Sequence, residues 1–219
     1  MIPIGDNVPR SRVPLITWTL ILLNVLIYFW QSQLSEMEMV EFFYSFGVVP
    51  RILLTADSGR IWTLFTSMFL HGNIGHLIGN MWILGLFGDN VEDRMGRFSL
   101  LVFYILTGIF AGIVHILVNP ASMVPTIGAS GAIAGVMAGY FFLFPLARVT
   151  AIIPIFIFPY FIRVPSFIFI GIWFVTQLYY GALALEVTSF GGIAWWAHIG
   201  GFLFGSLTYR FFRKRINRI

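Results

Sequence analysis

The stretch Gly128-Ala129-Ser130-Gly131-Ala132-Ile133-Ala134-Gly135-Val136-Met137-Ala138-Gly139-Tyr140-Phe141-Phe142-Leu143-Phe144 carries no charged side chain. Its glycines at 131, 135 and 139 repeat every four residues, the small-x-x-x-small spacing that lets helices pack closely in a bilayer. A span needs roughly 20 apolar residues to cross about 30 Å of hydrocarbon. Reading outward for further charge-free apolar runs gives six in all, over residues 15–30, 74–88, 99–118, 130–144, 167–185 and 193–212. Composition agrees. Of 219 residues, 58% are hydrophobic, 18% aromatic and only 10% charged, and the mean hydropathy is +0.89. Soluble domains carry about 25% charged residues, so this chain cannot cover a water-facing surface. A soluble enzyme, a disordered chain and a nucleic-acid binder are excluded, despite a pI near 9.7. The absence of cysteine removes disulfides, a thiolate nucleophile and a Cys-based metal site. The expected fold is an all-α polytopic membrane protein, a six-transmembrane-helix bundle forming one integral-membrane domain over 1–219.

Orientation follows from the basic residues between spans. Arg10 and Arg12 precede the first, Arg94 and Arg97 follow the second, Arg148 and Arg163 follow the fourth, and Arg210, Arg213, Lys214, Arg215 and Arg218 form the tail. That puts 11 of 13 basic residues on one side, against Arg51 and Arg60 on the other. Both termini are therefore expected in the cytoplasm. Trp30, Trp195 and Trp196 then fall at outer span ends and Trp18 near an inner one, as an aromatic belt expects. The apolar stretch 149–162 is too short for a span and is interrupted by Pro154 and Pro159; it reads as an interfacial loop or re-entrant segment on the cytoplasmic side. Glu36, Glu38 and Glu41 among apolar neighbours read as the wet face of an interfacial helix.

Ionisable and nucleophilic groups inside a bilayer are functional hypotheses by default. A serine between glycines at a loop-to-helix junction, as in Gly128-Ala129-Ser130-Gly131, exposes its hydroxyl. The helix N-terminus adds amide N–H groups that favour an oxyanion. The same glycines, alone, suit helix packing equally well. Depth changes that balance. Spans two, four and six all enter from the outer side, so His76, Ser130 and His198 share one level in the outer half of the bilayer. Spans two and four, at about 15 residues or roughly 22 Å, would start roughly 8 Å below the surface of a 30 Å core, leaving room for water. Gly201 and Gly205 follow His198 with spacing that suits close packing on the fourth span. His76 and Asn80 lie at i and i+4 on one face, an imidazole and an amide suited to an oxyanion hole.

With these residues in hand, the chain resembles the rhomboid family of intramembrane serine proteases. The resemblance rests on His71-Gly72-Asn73-Ile74-Gly75-His76-Leu77-Ile78-Gly79-Asn80, Val91-Glu92-Asp93-Arg94-Met95-Gly96, Gly128-Ala129-Ser130-Gly131, and Ala197-His198-Ile199-Gly200-Gly201 with Gly205. It implies a dyad of Ser130 as nucleophile and His198 as general base, with His76, Asn80 and the Ser130 backbone N–H holding the oxyanion. It gives His71 a structural role and makes the fifth span and its following loop a gate. It implies other membrane-spanning proteins as substrates, no cofactor and no metal. A six-span core without a seventh helix or large soluble domain points to a bacterial plasma membrane, with the site opening outward. Two positions depart from the pattern of some members. Thr63 follows Trp62 where others carry Arg, which puts a loop contact in doubt. Ala134 stands where others stack an aromatic ring on the histidine, so His198 must be oriented by other neighbours.

Two other function classes compete. A non-catalytic escort of membrane clients typically lacks the serine or the histidine, and this chain keeps both. A metal-dependent hydrolase using His71, His76 and His198 lacks an H-E-x-x-H motif and a carboxylate base. His115 reads as structural, Ser206 as a packing residue, and Glu92 with Arg94 as a cytoplasmic loop pair or cap.

Overall fold

The computed structural model describes residues 1–56, 58–155, 158–186 and 193–214. Arg215 and Arg218 of the basic tail, and the loop expected to act as a gate over 187–192, lie outside them. Apolar runs without prolines become the helices α1 (Leu15–Gln31), α4 (Ile74–Met95), α5 (Arg97–Val118), α6 (Ser130–Leu143), α7 (Ser166–Glu186) and α8 (Trp195–Phe212). The amphipathic α2 (Glu36–Phe46) and the single-turn α3 (Thr63–Thr66) lie between α1 and α4. In α2, Ser35 and Glu38 form a reciprocal capping box, the arrangement that satisfies two orphan N–H donors at once. Among the described residues, two helices are long and apolar enough to cross a membrane, Arg97–Val118 and Ser166–Leu185, while Leu15–Gln31 and Ser130–Leu143 are shorter apolar helices.

α6 is the central helix, buried without interruption from Gly131 to Tyr140. A helix apolar on every side needs neighbours on every side, and α4, α5, α7 and α8 all pack against it. Leu84, Phe87, Leu100, Phe103, Tyr104 and Tyr140 fill the core, each fully buried. Gly96, at φ 95, lies between α4 and α5, and its N–H closes α4 on the Glu92 carbonyl at 2.7 Å. That left-handed conformation is one glycine adopts without a Cβ penalty.

The fold departs from the all-α expectation. β1 (Ile2–Asp6), β2 (Arg148–Ile155) and β3 (Phe158–Pro165) form an antiparallel sheet in the order β1-β2-β3. Residues 149–155 and 158–162 are therefore paired strand rather than loop. Val149 and Ala151 are buried on alternate positions, the period of a half-buried strand, and the stretch is rich in β-branched residues. The two prolines that read as breakers face each other, Pro154 opposite Pro159. β1 carries no strand signal of its own; it forms because β2 offers a partner, with Ile2 opposite Ile152 and Asp6 opposite Val149. Asp6 then accepts hydrogen bonds from Asn90 Nδ2 and from the Tyr140 hydroxyl, both at 2.9 Å, tying the sheet to α4 and α6.

Helix α4 runs for 22 residues, well past residue 88, whereas α6 has 14. The last turns of α4 carry Glu92, which is not a loop partner of Arg94. Glu92 is buried, with 3% of its surface exposed. It caps α1, accepting from Ile16 N at 3.1 Å, Thr17 N at 2.8 Å and Thr17 Oγ1 at 2.9 Å. A carboxylate at a helix N-terminus satisfies orphan donors and meets the favourable end of the dipole. Its nearest cation is Arg97, at 4.0 Å.

Candidate active site

α6 and α8 approach backbone to backbone. A Cβ on Gly201 would collide with the Gly131 carbonyl, and one on Gly205 would meet Gly135 Cα and O at 2.7 Å. This close crossing is what the glycine spacing on both helices permits. It brings the half-buried His198, in the first turn of α8, to the half-buried Ser130, the first residue of α6. His198 Nε2 lies 2.7 Å from Ser130 Oγ.

The other face of the site comes from α4. Asn73 caps that helix by accepting from His76 N at 2.9 Å, setting His76 in the first turn and Asn80 one turn further. Gly128 has φ +123, and a Cβ there would lie 2.8 Å from both His76 Cε1 and Nε2, and 3.7 Å from Asn80 Nδ2. Only glycine lets the chain pass so close to both side chains two residues before Ser130. Among the described residues no side chain caps the first turn of α6, which leaves its amide N–H groups to a ligand. Gly131 and Gly135 serve packing as well: a Cβ on Gly131 would meet Ala111 Cβ at 2.7 Å, and one on Gly135 would strike Thr107.

Loops on both sides are pinned. Gly128 N donates to Ser67 O at 2.8 Å, and Val48 pairs with Thr126 through two backbone bonds. His115, on α5, lies 2.9 Å from Thr126 Oγ1 and steadies the loop that delivers Ser130. His71 is fully buried. Its backbone is held by the Gln31 amide at the end of α1, which donates to the His71 carbonyl and accepts from its N–H. His71 Nε2 sits 3.0 Å from Asn80 Nδ2, so His71 orients Asn80. In the loop before Thr63, Arg60 donates to the Tyr44 and Ser45 carbonyls, both at 2.8 Å.

His198 has a partner that sequence reading missed. Gln177 of α7 places Oε1 2.8 Å from His198 Nδ1. Trp173 and Trp195 flank the imidazole, with ring centroids 6.1 Å and 6.2 Å away. A single amide in an apolar span has no spacing that marks it; the available signal is that a buried glutamine there needs a hydrogen-bond partner. Among the described residues no group of three His, Asp or Glu side chains is arranged to hold a metal ion. A cavity of about 30 Å³ opens beside Ser130, lined by Ser67, Thr126, Gly128 and Ala197 among others, which is room for a water molecule or two.

The family model for the Rhomboid domain matches residues 58–215, the stretch that contains every residue of this arrangement except the supporting Gln31, Tyr44, Ser45 and Val48. The chain belongs to the rhomboid family. Rhomboids are in general intramembrane serine proteases. This rhomboid is 32% identical over 130 residues to Rhomboid-like protein 11, chloroplastic, of Arabidopsis thaliana, covering 59% of this chain and 42% of the relative. It is 31% identical over 175 residues to RHOMBOID-like protein 12, mitochondrial, of the same plant, covering 72% and 48%. It is 34% identical over 140 residues to the Rhomboid protease AarA of Providencia stuartii, covering 56% and 48%. The chain thus spans less than half the length of these relatives. With chloroplastic and mitochondrial proteins among them, the expectation of a bacterial plasma membrane gains no support.

Proposed function

We propose that this rhomboid is an intramembrane serine endopeptidase that cuts peptide bonds in or near the transmembrane segments of other membrane proteins. The observation that carries the reading is the 2.7 Å contact between Ser130 Oγ and His198 Nε2, made across two helices whose glycines allow it. His198 takes the hydroxyl proton as Ser130 Oγ attacks the scissile carbonyl, and returns it to the leaving amine as the acyl-enzyme forms. Water, deprotonated by the same imidazole, then releases the acyl group. The oxyanion falls to the Ser130 N–H, to Asn80 Nδ2, which keeps one N–H beyond the one facing His71, and to His76 beside Gly128. Donors already fixed before reaction need no reorganisation as charge develops. No cofactor is required.

The same reading takes the chain, 1–219, as one membrane domain with six spans in α1, α4, α5, α6, α7 and α8 and both termini in the cytoplasm. Support comes from the far end of the bundle. There Ser11, before α1, donates to Asp93 at 2.9 Å, and Lys214, after α8, donates to the Asp93 carbonyl at 2.8 Å, so the basic flanks of the spans collect together. The site lies at the opposite end, at the N-termini of α4, α6 and α8. At about 1.5 Å per residue, the 14 residues of α6 span roughly 21 Å of a 30 Å core, which sinks Ser130 below the outer surface and lets water reach it.

Purified protein in detergent is expected to cleave a single-span substrate, and Ser130→Ala and His198→Ala are each expected to abolish cleavage. Near wild-type cleavage by Ser130→Ala sinks the dyad.

A further inference from the structure

The hydrogen bond at His198 Nδ1 comes from one turn of α7. Gln177 is 4% exposed, and both ends of its amide are engaged. Its Nε2 donates to the Trp173 carbonyl at 3.1 Å and to Thr176 Oγ1 at 3.1 Å. The Thr176 hydroxyl spends its own proton on the Trp173 carbonyl, at 2.6 Å, so its oxygen is left to accept. A carbonyl oxygen only accepts, so the amide NH₂ must face Trp173 and the amide oxygen must face His198. That oxygen also only accepts, and it lies 2.8 Å from His198 Nδ1; Nδ1 therefore carries the ring proton. The bare nitrogen is then Nε2, the one 2.7 Å from Ser130 Oγ.

We propose that Gln177 is the positioning residue that fixes His198 in the Nδ1–H tautomer, relaying the acceptor character of the Trp173 carbonyl to the nitrogen that must receive the Ser130 proton. The inference rests on the Ser130–His198 reading above and extends it. A neutral imidazole has two tautomers, and only one leaves Nε2 free as a base. In three-residue hydrolase sites a buried carboxylate makes that choice. Here an amide makes it without placing a charge at membrane depth, where a carboxylate is expensive. This also answers what orients His198 in place of an aromatic ring at Ala134: the hydrogen bond sets the tautomer and Trp173 and Trp195 wall the ring.

The test uses the full chain in detergent micelles with histidine-selective ¹⁵N labelling, a fluorophosphonate probe and a single-span substrate. Wild-type protein is expected to show His198 protonated at Nδ1 and unprotonated at Nε2. Gln177→Leu, close in size but without an acceptor, should slow probe labelling of Ser130 and kcat alike by about 10- to 100-fold, at unchanged KM, with the ¹⁵N pattern moving toward the other tautomer. Gln177→Glu should restore labelling close to the wild-type rate in either protonation state. Ionised, it accepts from Nδ1–H; protonated, its hydroxyl replaces the NH₂ toward Trp173 and its carbonyl still faces His198. A folded Gln177→Leu that labels at the wild-type rate with an unchanged ¹⁵N pattern overturns the role, as does a folded Gln177→Glu no faster than Gln177→Leu. If Gln177→Leu does not fold, the wild-type spectrum decides, because protonation at Nε2 is incompatible with the proposal. Failure of wild-type protein to react at Ser130 overturns the hydrolase reading instead, and leaves the ¹⁵N pattern to judge the tautomer separately.

Discussion

At the residue scale, the site is built from groups whose partners leave each of them one task. Asn80 gives one amide N–H to His71 and has one left. Replacing it with alanine removes that remaining N–H without creating a charge, so under the proposed mechanism kcat is expected to fall roughly 10²-fold with little change in KM. Steady-state cleavage of a single-span substrate by Asn80→Ala measures this, and unchanged kcat would reduce Asn80 to a structural role. That Ser130 and His198 meet was legible in the sequence because helix direction places them at one depth and glycine spacing marks the faces that meet. That Asn80 lies on the His76 side of α4 was legible because i and i+4 share a helix face. Gln177 was not, since its role depends on a crossing between α7 and α8 that no local spacing encodes.

At the scale of elements, the α6–α8 crossing sets the distance between Ser130 Oγ and His198 Nε2. Gly201 meets the Gly131 backbone directly, so a side chain there must push the helices apart. Gly201→Val is expected to cost about 1–3 kcal/mol of stability and to abolish cleavage, because a shift of even 1 Å spoils a 2.7 Å contact. Comparing the denaturation midpoint with activity at a temperature where the variant is still folded separates the two effects; a folded and active Gly201→Val contradicts the crossing as the determinant. The long apolar helices were readable from composition because the solvent is apolar and the signal is cumulative. The sheet was not. Prolines at 154 and 159 argue against a strand locally, and β1 acquires its conformation only by pairing with a segment some 150 residues away. The extension of α4 was hidden for a similar reason: Glu92 reads as a loop pair or cap beside Arg94, and only α1 supplies the three donors that it caps.

At the scale of the whole molecule, the segment before α1 and Lys214 after α8 are held at one end of the bundle through Asp93. Burial alone pushes its carboxyl up, but the Ser11 N–H and hydroxyl, with Lys214 and Arg12, outweigh that and hold it below the usual carboxylate range. A carboxyl whose value is depressed on folding stabilises the docked state above its unfolded value and loses that contribution as pH falls through the folded one. Docking of the N-terminal segment should therefore be constant from pH 7 to about 5 and weaken only below about 4. The protection factor of the Ser11 amide against hydrogen exchange reports it, and a loss of protection already between pH 7 and 5 would show that another group holds the segment.

Every step of the proposed hydrolysis requires Ser130 to be a nucleophile. Intact protein treated with a fluorophosphonate and analysed by peptide mass spectrometry tests that without a known substrate. A single adduct is expected on the peptide carrying Ser130, absent in Ser130→Ala and suppressed in His198→Ala. Wild-type protein that stays unlabelled, or labels equally after Ser130→Ala, contradicts the proposed hydrolysis.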